Sequence, residues 1–140
     1  MKHDKLTIYT DGGARGNPGP AGMAVVIYDE NGKLIGQHSK FIGRATNNQA
    51  EYKALIFGLE KAKNLRAKEI RCFLDSELIA RQLTGQYRVK DKGLKPLFAQ
   101  ILKLTNNFDS VTFRHIPREE NKLADKLVNL AINKGIIDRS

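Results

Sequence analysis

The order of strand and helix patterns along the 140 residues restricts the fold to a mixed sheet with covering helices. Alternating β-branched, aromatic and polar residues predict three strands in the first third of the chain, at Lys5–Thr10, Met23–Tyr28 and Leu34–Ile42. The residues from Asp11 to Gly22 between the first two strands are rich in glycine and predict a loop. Asn31-Gly32 is a typical hairpin turn, so the three strands should form an antiparallel meander.

After the meander the chain alternates between helices and strands. A helix that begins after Thr46, its predicted N-cap, leads to a strand at Glu69–Leu74, and such a crossover makes that strand parallel to an earlier one. The remaining patterns predict helices and one further strand, at Ser76–Leu83, Lys95–Leu104, Val111–Ile116 (the strand) and Glu119–Asn133. We therefore expect residues 1–140 to form a single α/β domain, with a five-stranded mixed sheet (three antiparallel strands, then two parallel) and helices on both faces.

Charge and composition narrow the possible partners. The chain has 24 lysines and arginines against 15 acidic residues, a net charge of +9, which fits a polyanionic partner but also a basic surface without a specific one. No apolar run approaches the roughly 18 residues of a membrane span, so no membrane partner is expected. Cys72 is the only cysteine and the N-terminus (MKHDKLTIYT) is too polar for a signal peptide, so we expect a cytoplasmic protein.

Four acidic residues stand out, three of which lie at strand ends or on an inward face, where a lone carboxylate would be costly to bury. Asp11 and Asp75 follow the first and fourth predicted strands, Glu51 lies inside the first helix, and Asp125 lies in the last helix. Each aspartate after a strand, taken singly, is explained by a turn or a helix cap. If the two strands are neighbours, however, Asp11 and Asp75 lie side by side and need a counterion. Oxygen ligands without a histidine–cysteine cluster favour Mg²⁺ or Mn²⁺ over zinc.

Four short motifs carry a resemblance to a known family. The runs YTDGGARGNPGP at Tyr9–Pro20, TNNQAE at Thr46–Glu51, LDS at Leu74–Ser76 and ENKLAD at Glu120–Asp125 resemble, in this order, the four motifs of ribonuclease H type 1. Their order, spacing and placement on strand, helix, strand and helix all match, so the resemblance covers nearly the whole chain. The chain is thus identified as a member of that family in its short-loop prokaryotic form, without a hybrid-binding module.

The resemblance implies an activity and a cofactor. It implies the ribonuclease H-like fold and an endonuclease that cuts the RNA strand of RNA–DNA hybrids, leaving 5′-phosphate and 3′-hydroxyl ends. It also implies that Asp11, Glu51, Asp75 and Asp125 ligate two Mg²⁺ ions during catalysis, with Mn²⁺ as a substitute. One ion would activate a water for in-line attack and the other would stabilise the leaving 3′-oxygen.

The resemblance further implies a set of substrate contacts. Asn17, Asn47 and Gln49 correspond to residues that contact the minor groove, where 2′-hydroxyls mark the RNA strand. Thr46 corresponds to a residue of the phosphate pocket for the DNA strand, and Gly12 to a close approach of the backbone to a ribose. Substrate binding is also expected of two further motif residues, Asn48 and Ser76. Simpler roles stay open for Asn17 and Gly12 as turn formers and for Thr46 as a helix cap.

The family's loop histidine has no clear equivalent in this chain. Many relatives carry it just before the last helix, where it assists proton transfer or product release. A gapless count assigns it to His115, ten residues before Asp125, whereas an alignment on the last strand leaves Arg118 nearest the position. We favour Arg118 as the residue that assists catalysis, because the pattern of Val111, Phe113 and His115 belongs to a strand. Arginine cannot carry a proton near neutral pH but can hold a phosphate bidentately.

Three alternatives to a hybrid-specific enzyme can be stated. The same metal site could cut the RNA strand of double-stranded RNA, an activity that the resemblance to short-loop relatives leaves open. A catalytically inactive binding module is disfavoured because all four carboxylates are present. A fragment of a larger reverse transcriptase is disfavoured because the chain starts and ends close to the family's domain limits. We expect a monomer whose partner is an RNA–DNA hybrid.

Overall fold

The computed structural model of the protein describes residues 3–139; Met1, Lys2 and Ser140, which the predicted domain includes, lie outside the described residues. In chain order the elements are β1 (Lys5–Ala14), β2 (Gly19–Tyr28), β3 (Leu34–Ala45), α1 (Asn47–Asn64), β4 (Glu69–Leu74), α2 (Glu77–Leu83), α3 (Lys95–Thr105), β5 (Ser110–His115), a 3₁₀ turn (Arg118–Glu120) and α4 (Lys122–Arg139). Within residues 3–139, none of the helices combines the length and the apolar composition that crossing a membrane requires.

The strands form one five-stranded sheet in the order β3-β2-β1-β4-β5. β1 pairs antiparallel with β2, and β2 antiparallel with β3, whereas β4 is parallel to β1 and β5 is parallel to β4. This is the predicted mixed sheet, and the parallel pairing of β4 with β1 confirms the crossover through α1. The order makes β1 and β4 direct neighbours at the centre of the sheet.

Helices cover both faces of the sheet, as predicted. On one face α1 contacts β1 and β2 and packs against α3, over a core that includes Leu6, Ile8, Leu55, Leu59 and Ile101. On the other face α4 contacts β2 and β3 through a smaller apolar cluster of Ala24, Val128 and Ile132. The two helices that carry Glu51 and Asp125 therefore approach the central strands from opposite sides.

The start of α1 is determined by a capping box. The Thr46 side chain accepts a hydrogen bond from the Gln49 N–H (3.1 Å), and the Gln49 side chain accepts one from the Thr46 N–H (3.0 Å). This confirms Thr46 as the predicted N-cap, and it satisfies two backbone donors that the first turn of a helix otherwise leaves unpaired.

The loop predicted from Asp11 to Gly22 is wrong, because most of these residues belong to strands. β1 continues to Ala14 and β2 begins at Gly19, so Asp11 lies inside β1, opposite Ala24, rather than at its end. Gly12 and Gly22 are needed for close packing of helices on the sheet, whereas Gly16, with a φ of +100°, lies in the turn between β1 and β2. A Cβ on Gly12 would lie 2.1 Å from the Ala50 carbonyl oxygen of α1, and one on Gly22 would lie 3.0 Å from the Ile132 side chain of α4.

The last helix begins later and ends later than predicted. Glu119 and Glu120 belong to the 3₁₀ turn, and α4 starts at Lys122, because the side chain of Asn121 is tied to the sheet and its backbone is not helical. At the other end the helix continues past Asn133 to Arg139. Gly135 permits this extension: a Cβ there would lie 2.1 Å from the Phe41 ring of β3. The predicted ends of the other elements agree with the observed ends within one residue. The exception is β3, which continues to Ala45 rather than ending at Ile42.

The contact between Gly12 and α1 can be tested by adding one methyl group. Gly12→Ala should lower the free energy of unfolding by about 3 kcal/mol, because backbone atoms, which cannot rotate away, occupy the space. Gly13→Ala is the matched control: its nearest neighbour would be a Val128 methyl group at 3.7 Å, and the change should cost less than about 1 kcal/mol. Urea unfolding of both variants measures the difference. Equal midpoints for Gly12→Ala and the unmutated protein would contradict the described packing.

Candidate active site

Three carboxylates meet where β1, β4 and α1 come together. The last parallel pair between β1 and β4 is Tyr9 with Phe73. Asp11 lies two residues after Tyr9, and Asp75 directly follows the end of β4. One oxygen each of Asp11, Glu51 and Asp75 lies within 4.8 Å of the other two. The predicted juxtaposition of Asp11 and Asp75 is therefore present, although Asp11 is within its strand. We refer to Asp11, Glu51 and Asp75 as the carboxylate cluster.

Helix α1 brings Glu51 to the cluster through its close approach to β1. The backbone of Ala50 rests against Gly12, so the next residue of the helix lies beside Asp11. Gly12 itself is buried, so close packing against α1 explains why this position has no side chain. Its predicted approach to a ribose stays a prediction.

The fourth predicted carboxylate, Asp125, lies at the edge of this group. It is in the first turn of α4, and its charge adds to the effect of burial in raising the pKa of Asp11. It does not belong to the three residues whose oxygens lie within 4.8 Å of one another. The structure thus places Asp125 near Asp11, at the edge of the cluster.

The cluster is short of positive charge. Burial raises the pKa of Asp11 to about 8, and the nearby charges of Asp75 and Asp125 act in the same direction. Burial also raises the pKa of Glu51 to about 9, together with the charges of Asp11 and Asp75, while the guanidinium of Arg118 opposes the shift. Without a cation, these raised pKa values favour the protonated forms of Asp11 and Glu51 near neutral pH.

The donor set of the cluster fits a hard divalent cation. Among residues 3–139 it is the one group of three histidine, cysteine or acidic side chains close enough to hold a metal ion, and all its donors are carboxylate oxygens. Such donors suit Mg²⁺ or Mn²⁺, whereas zinc and the softer metals favour nitrogen and sulfur. A divalent cation would also replace the protons that the raised pKa values imply.

Asn121 is a site residue that sequence reasoning missed. It is 2% exposed, and its side-chain amide donates hydrogen bonds to the Thr10 carbonyl oxygen and to Asp75 Oδ2, both at 2.9 Å. The sequence contained one indirect signal, since the asparagine stands within the fourth motif, four residues before Asp125. Its partners are distant in the sequence and were not predictable from it.

The residues predicted to contact the minor groove lie at and near the N-terminus of α1. Asn17 Oδ1 accepts a hydrogen bond from the Asn47 N–H (3.0 Å), and Asn47 Oδ1 accepts one from the Ala14 N–H (2.8 Å). Both side chains are exposed, as is Asn48. Because each bonded amide oxygen faces the protein, the NH₂ groups of Asn17 and Asn47 are the donors left for a ligand.

The side chains of Thr46, Gln49 and Ser76 have roles in the fold itself. Thr46 and Gln49 form the capping box of α1, and the Ser76 hydroxyl accepts the Ile79 N–H (3.2 Å) as the N-cap of α2. All three are half-buried; Ser76 directly follows Asp75, Gln49 is two residues before Glu51, and Thr46 is the residue before α1. The structure thus gives the simpler role of helix cap to Thr46 and Ser76, which leaves their contact with substrate a prediction.

A basic segment lies beside the start of α1. The connection Gln86–Gly93 is exposed except for Val89, and it carries Arg88, Lys90 and Lys92. Its end approaches α1 closely, since a Cβ on Gly93 would lie 3.2 Å from Gln49 Nε2. The end of this basic segment therefore lies next to Gln49, in the first turn of α1.

Arg118 and His115 lie in different surroundings. Arg118 is in the 3₁₀ turn, close enough for its charge to lower the pKa of Glu51. His115 is the last residue of β5, paired with Leu74, and it lines a surface pocket of about 330 Å³ with Glu77, Arg81 and Arg114. The strand position predicted for His115 is confirmed. Arg118 is the one that acts electrostatically on the cluster, and its part in catalysis stays a prediction.

Comparisons with known proteins agree on one family. The family described as "Reverse transcriptase-like" matches residues 9–131. "Ribonuclease HI" of Halobacterium salinarum is 41% identical over 129 residues, which are 92% of this chain and 65% of that protein. The solved structure of LC11-RNase H1 in complex with an RNA/DNA hybrid is 49% identical, has a TM-score of 0.88, and matches 94% of this chain and 99% of that one.

Some relatives are much longer than this chain. The "Bifunctional protein Rv2228c" of Mycobacterium tuberculosis is 40% identical over 130 residues, which are 92% of this chain. The matched segment spans 36% of that protein's length.

The raised pKa values predict how the stability of the metal-free protein depends on pH. The pKa values in the folded protein, about 8 for Asp11 and about 9 for Glu51, exceed the ordinary values of 3.8 and 4.5. At a pH between the ordinary and the raised pKa value of each group, the folded state therefore binds more protons than the unfolded state. The stabilisation from these groups is complete below the ordinary values and is lost as the pH rises through the folded ones. Urea unfolding in the presence of a chelator should therefore show stability falling from about pH 5 to about pH 9.

The double variant Asp11→Asn/Glu51→Gln is the control for this pH dependence. It lacks both titrating groups and should show a flatter profile over the same window. Identical profiles for the double variant and the unmutated protein would show that the cluster is not protonated in the folded state.

Proposed function

The chain belongs to the ribonuclease H type 1 family, and from this we propose that it is an endoribonuclease that hydrolyses the RNA strand of RNA–DNA hybrids, leaving 5′-phosphate and 3′-hydroxyl ends. The observation that carries the proposal is the carboxylate cluster, whose three oxygens lie within 4.8 Å of one another. The LC11 relative, solved with a hybrid, supports the substrate class.

The proposed cofactor is Mg²⁺, with two ions per site during catalysis and Mn²⁺ as a substitute. Members of the family depend on divalent metal ions, and the all-oxygen donor set supports these two. Asp11, Glu51 and Asp75 would hold the ions, with Asp125 contributing from α4. When bound, the ions supply a nucleophilic water and stabilise the charge that develops on the leaving 3′-oxygen.

The protein's own groups account for substrate recognition. The NH₂ groups of Asn17 and Asn47 are donors suited to the minor-groove acceptors and 2′-hydroxyls of a hybrid, and Asn48 and Gln49 extend this surface. Thr46 contributes to a phosphate pocket for the DNA strand, and Ser76 and Gly12 contact substrate next to the carboxylates. The fixed orientation of Asn17 and Asn47 lowers the entropic cost of binding.

The distribution of charge supports a nucleic-acid partner over a basic surface without one. The protein carries a net charge of +9, and four of its 15 acidic residues surround the site. The basic segment Gln86–Gly93 ends beside Gln49 at the start of α1, where its cationic side chains would contact phosphates. We further propose that the protein acts as a monomer, since one chain contains all four carboxylates, and in the cytoplasm, since its one cysteine is a buried free thiol.

Substrate class and metal dependence can be measured in one set of assays. We expect cleavage of the RNA strand of a hybrid with Mg²⁺ or Mn²⁺, no cleavage of double-stranded DNA, and slower cleavage of double-stranded RNA. Asp11→Asn, Glu51→Gln and Asp75→Asn should each lower the rate on the hybrid by about 100-fold or more, as for loss of transition-state stabilisation of roughly 3 kcal/mol. Asp125→Asn should be milder, because an amide oxygen still ligates.

Glu60→Gln is the matched control for these variants, since Glu60 is an exposed glutamate on the same helix as Glu51. It should cleave at the unmutated rate. A full rate in Mg²⁺ for any of the three cluster variants would contradict the proposed metal site. Faster cleavage of double-stranded RNA than of the hybrid would reassign the substrate.

The role of Arg118 can be separated from that of His115 by single-turnover kinetics. Arg118→Ala should slow cleavage by about tenfold or more, because the guanidinium that acts on Glu51 is placed to stabilise charge on a phosphate. His115→Ala should stay near the unmutated rate, and its pH–rate profile should keep its shape. A large loss for His115→Ala, with loss of a limb near about pH 6.5, would instead identify His115 as the proton carrier.

A further inference from the structure

Asn121 connects the elements that carry the carboxylates. It directly precedes α4 and is 2% exposed. Its Nδ2 donates to the carbonyl oxygen of Thr10, the residue before Asp11, and to Asp75 Oδ2, both at 2.9 Å. A primary amide has two hydrogens, and here each has an acceptor. The orientation of the amide follows from these two acceptors.

The backbone of Asn121 is also hydrogen-bonded to Asp125, the residue that carries the fourth carboxylate. Its carbonyl oxygen accepts a hydrogen bond from the Asp125 N–H at 3.1 Å, the first bond of the helical turn that carries Asp125. Its own N–H donates to the Arg118 carbonyl oxygen at 3.0 Å, which closes the 3₁₀ turn. A single residue thus links the start of α4 to the middle of β1 and to the residue that follows β4.

Packing alone does not explain an asparagine at this position. The Oδ1 atom is buried and has no hydrogen-bond partner among residues 3–139, an arrangement that lowers the stability of a fold. The adjoining cavity, which is lined by apolar and polar residues together, supplies no hydrogen bond to this atom from residues 3–139. The two bonds of Nδ2 are the property that an apolar residue could not supply.

We propose that Asn121 is a positioning residue that holds the Asp75 carboxylate in one orientation toward Asp11 and Glu51, ready to ligate a metal ion. The inference rests on the metal-dependent function proposed above. A neutral amide suits this task because it donates a hydrogen bond without adding positive charge. A lysine or arginine in its place would neutralise Asp75 and compete with the cation, whereas the amide leaves the full carboxylate charge available.

Two substitutions at position 121 separate positioning from packing. Asn121→Asp keeps the shape but replaces both donated hydrogen bonds with a carboxylate facing Asp75. Asn121→Leu has a similar volume and removes both the donors and the unpaired acceptor. The controls are Asn133→Asp and Asn133→Leu, at an exposed position of α4, the helix that Asn121 precedes.

The first measurement is Mn²⁺ binding in the absence of nucleic acid, followed by the electron paramagnetic resonance signal of the free ion. Both Asn121 variants should bind Mn²⁺ about 10- to 100-fold more weakly, the range found for partners of metal ligands. The Asn133 variants should bind as the unmutated protein does. Urea unfolding without metal checks that both Asn121 variants remain folded, because Asn121→Leu removes the donor to the Thr10 carbonyl oxygen and to Asp75 Oδ2 together with the unpaired acceptor.

The second measurement is hybrid cleavage as a function of Mg²⁺ concentration. Both Asn121 variants should need more Mg²⁺ for half-maximal kcat, while KM for the hybrid at saturating Mg²⁺ stays unchanged. Unaltered Mn²⁺ affinity and Mg²⁺ dependence in Asn121→Leu would overturn the inference and leave the proposed function intact. Absence of Mn²⁺ binding or of hybrid cleavage in the unmutated protein would instead overturn the proposed function, and this inference with it.

Discussion

The mutual repulsion of Asp11, Glu51 and Asp75 is the constraint around which the rest of the site is organised. Their oxygens lie within 4.8 Å of one another, and burial together with neighbouring charges raises the pKa of Asp11 to about 8 and that of Glu51 to about 9. Such a group is stable only with protons or with a cation. The surrounding fold must therefore hold the three groups together against their repulsion, and it does so with central strands and well-packed helices rather than with mobile loops.

Each carboxylate is held by a contact that leaves little freedom. The parallel pairing of β1 with β4 sets Asp11 beside Asp75, and the absence of a side chain at Gly12 lets the backbone of α1 bring Glu51 close. Asn121 attaches the start of α4, and so Asp125, to both strands. Because strands and helices are more rigid than loops, a metal ion meets a site that is already formed.

The sequence allowed the sheet and the carboxylates to be predicted, but not the contacts that join them. The order of patterns predicted the strand directions, because a helix between two strands makes them parallel. The glycine-rich stretch after Asp11 was misread as a loop, since glycine signals turns locally and close helix packing is a tertiary effect. The role of Asn121 was invisible for the same reason: its side-chain partners lie 111 and 46 residues away.

The most direct test of this account counts the protons that Mg²⁺ displaces from the cluster. With pKa values of about 8 and about 9, Asp11 and Glu51 retain protons near neutral pH, and both must lose them to ligate a metal ion. Calorimetric titration of the unmutated protein with Mg²⁺, in two buffers of different ionisation enthalpy, gives the number of protons released. The account predicts release of about one to two protons per site near pH 7, falling toward none well above about pH 9. Mg²⁺ binding near neutral pH without proton release would contradict it.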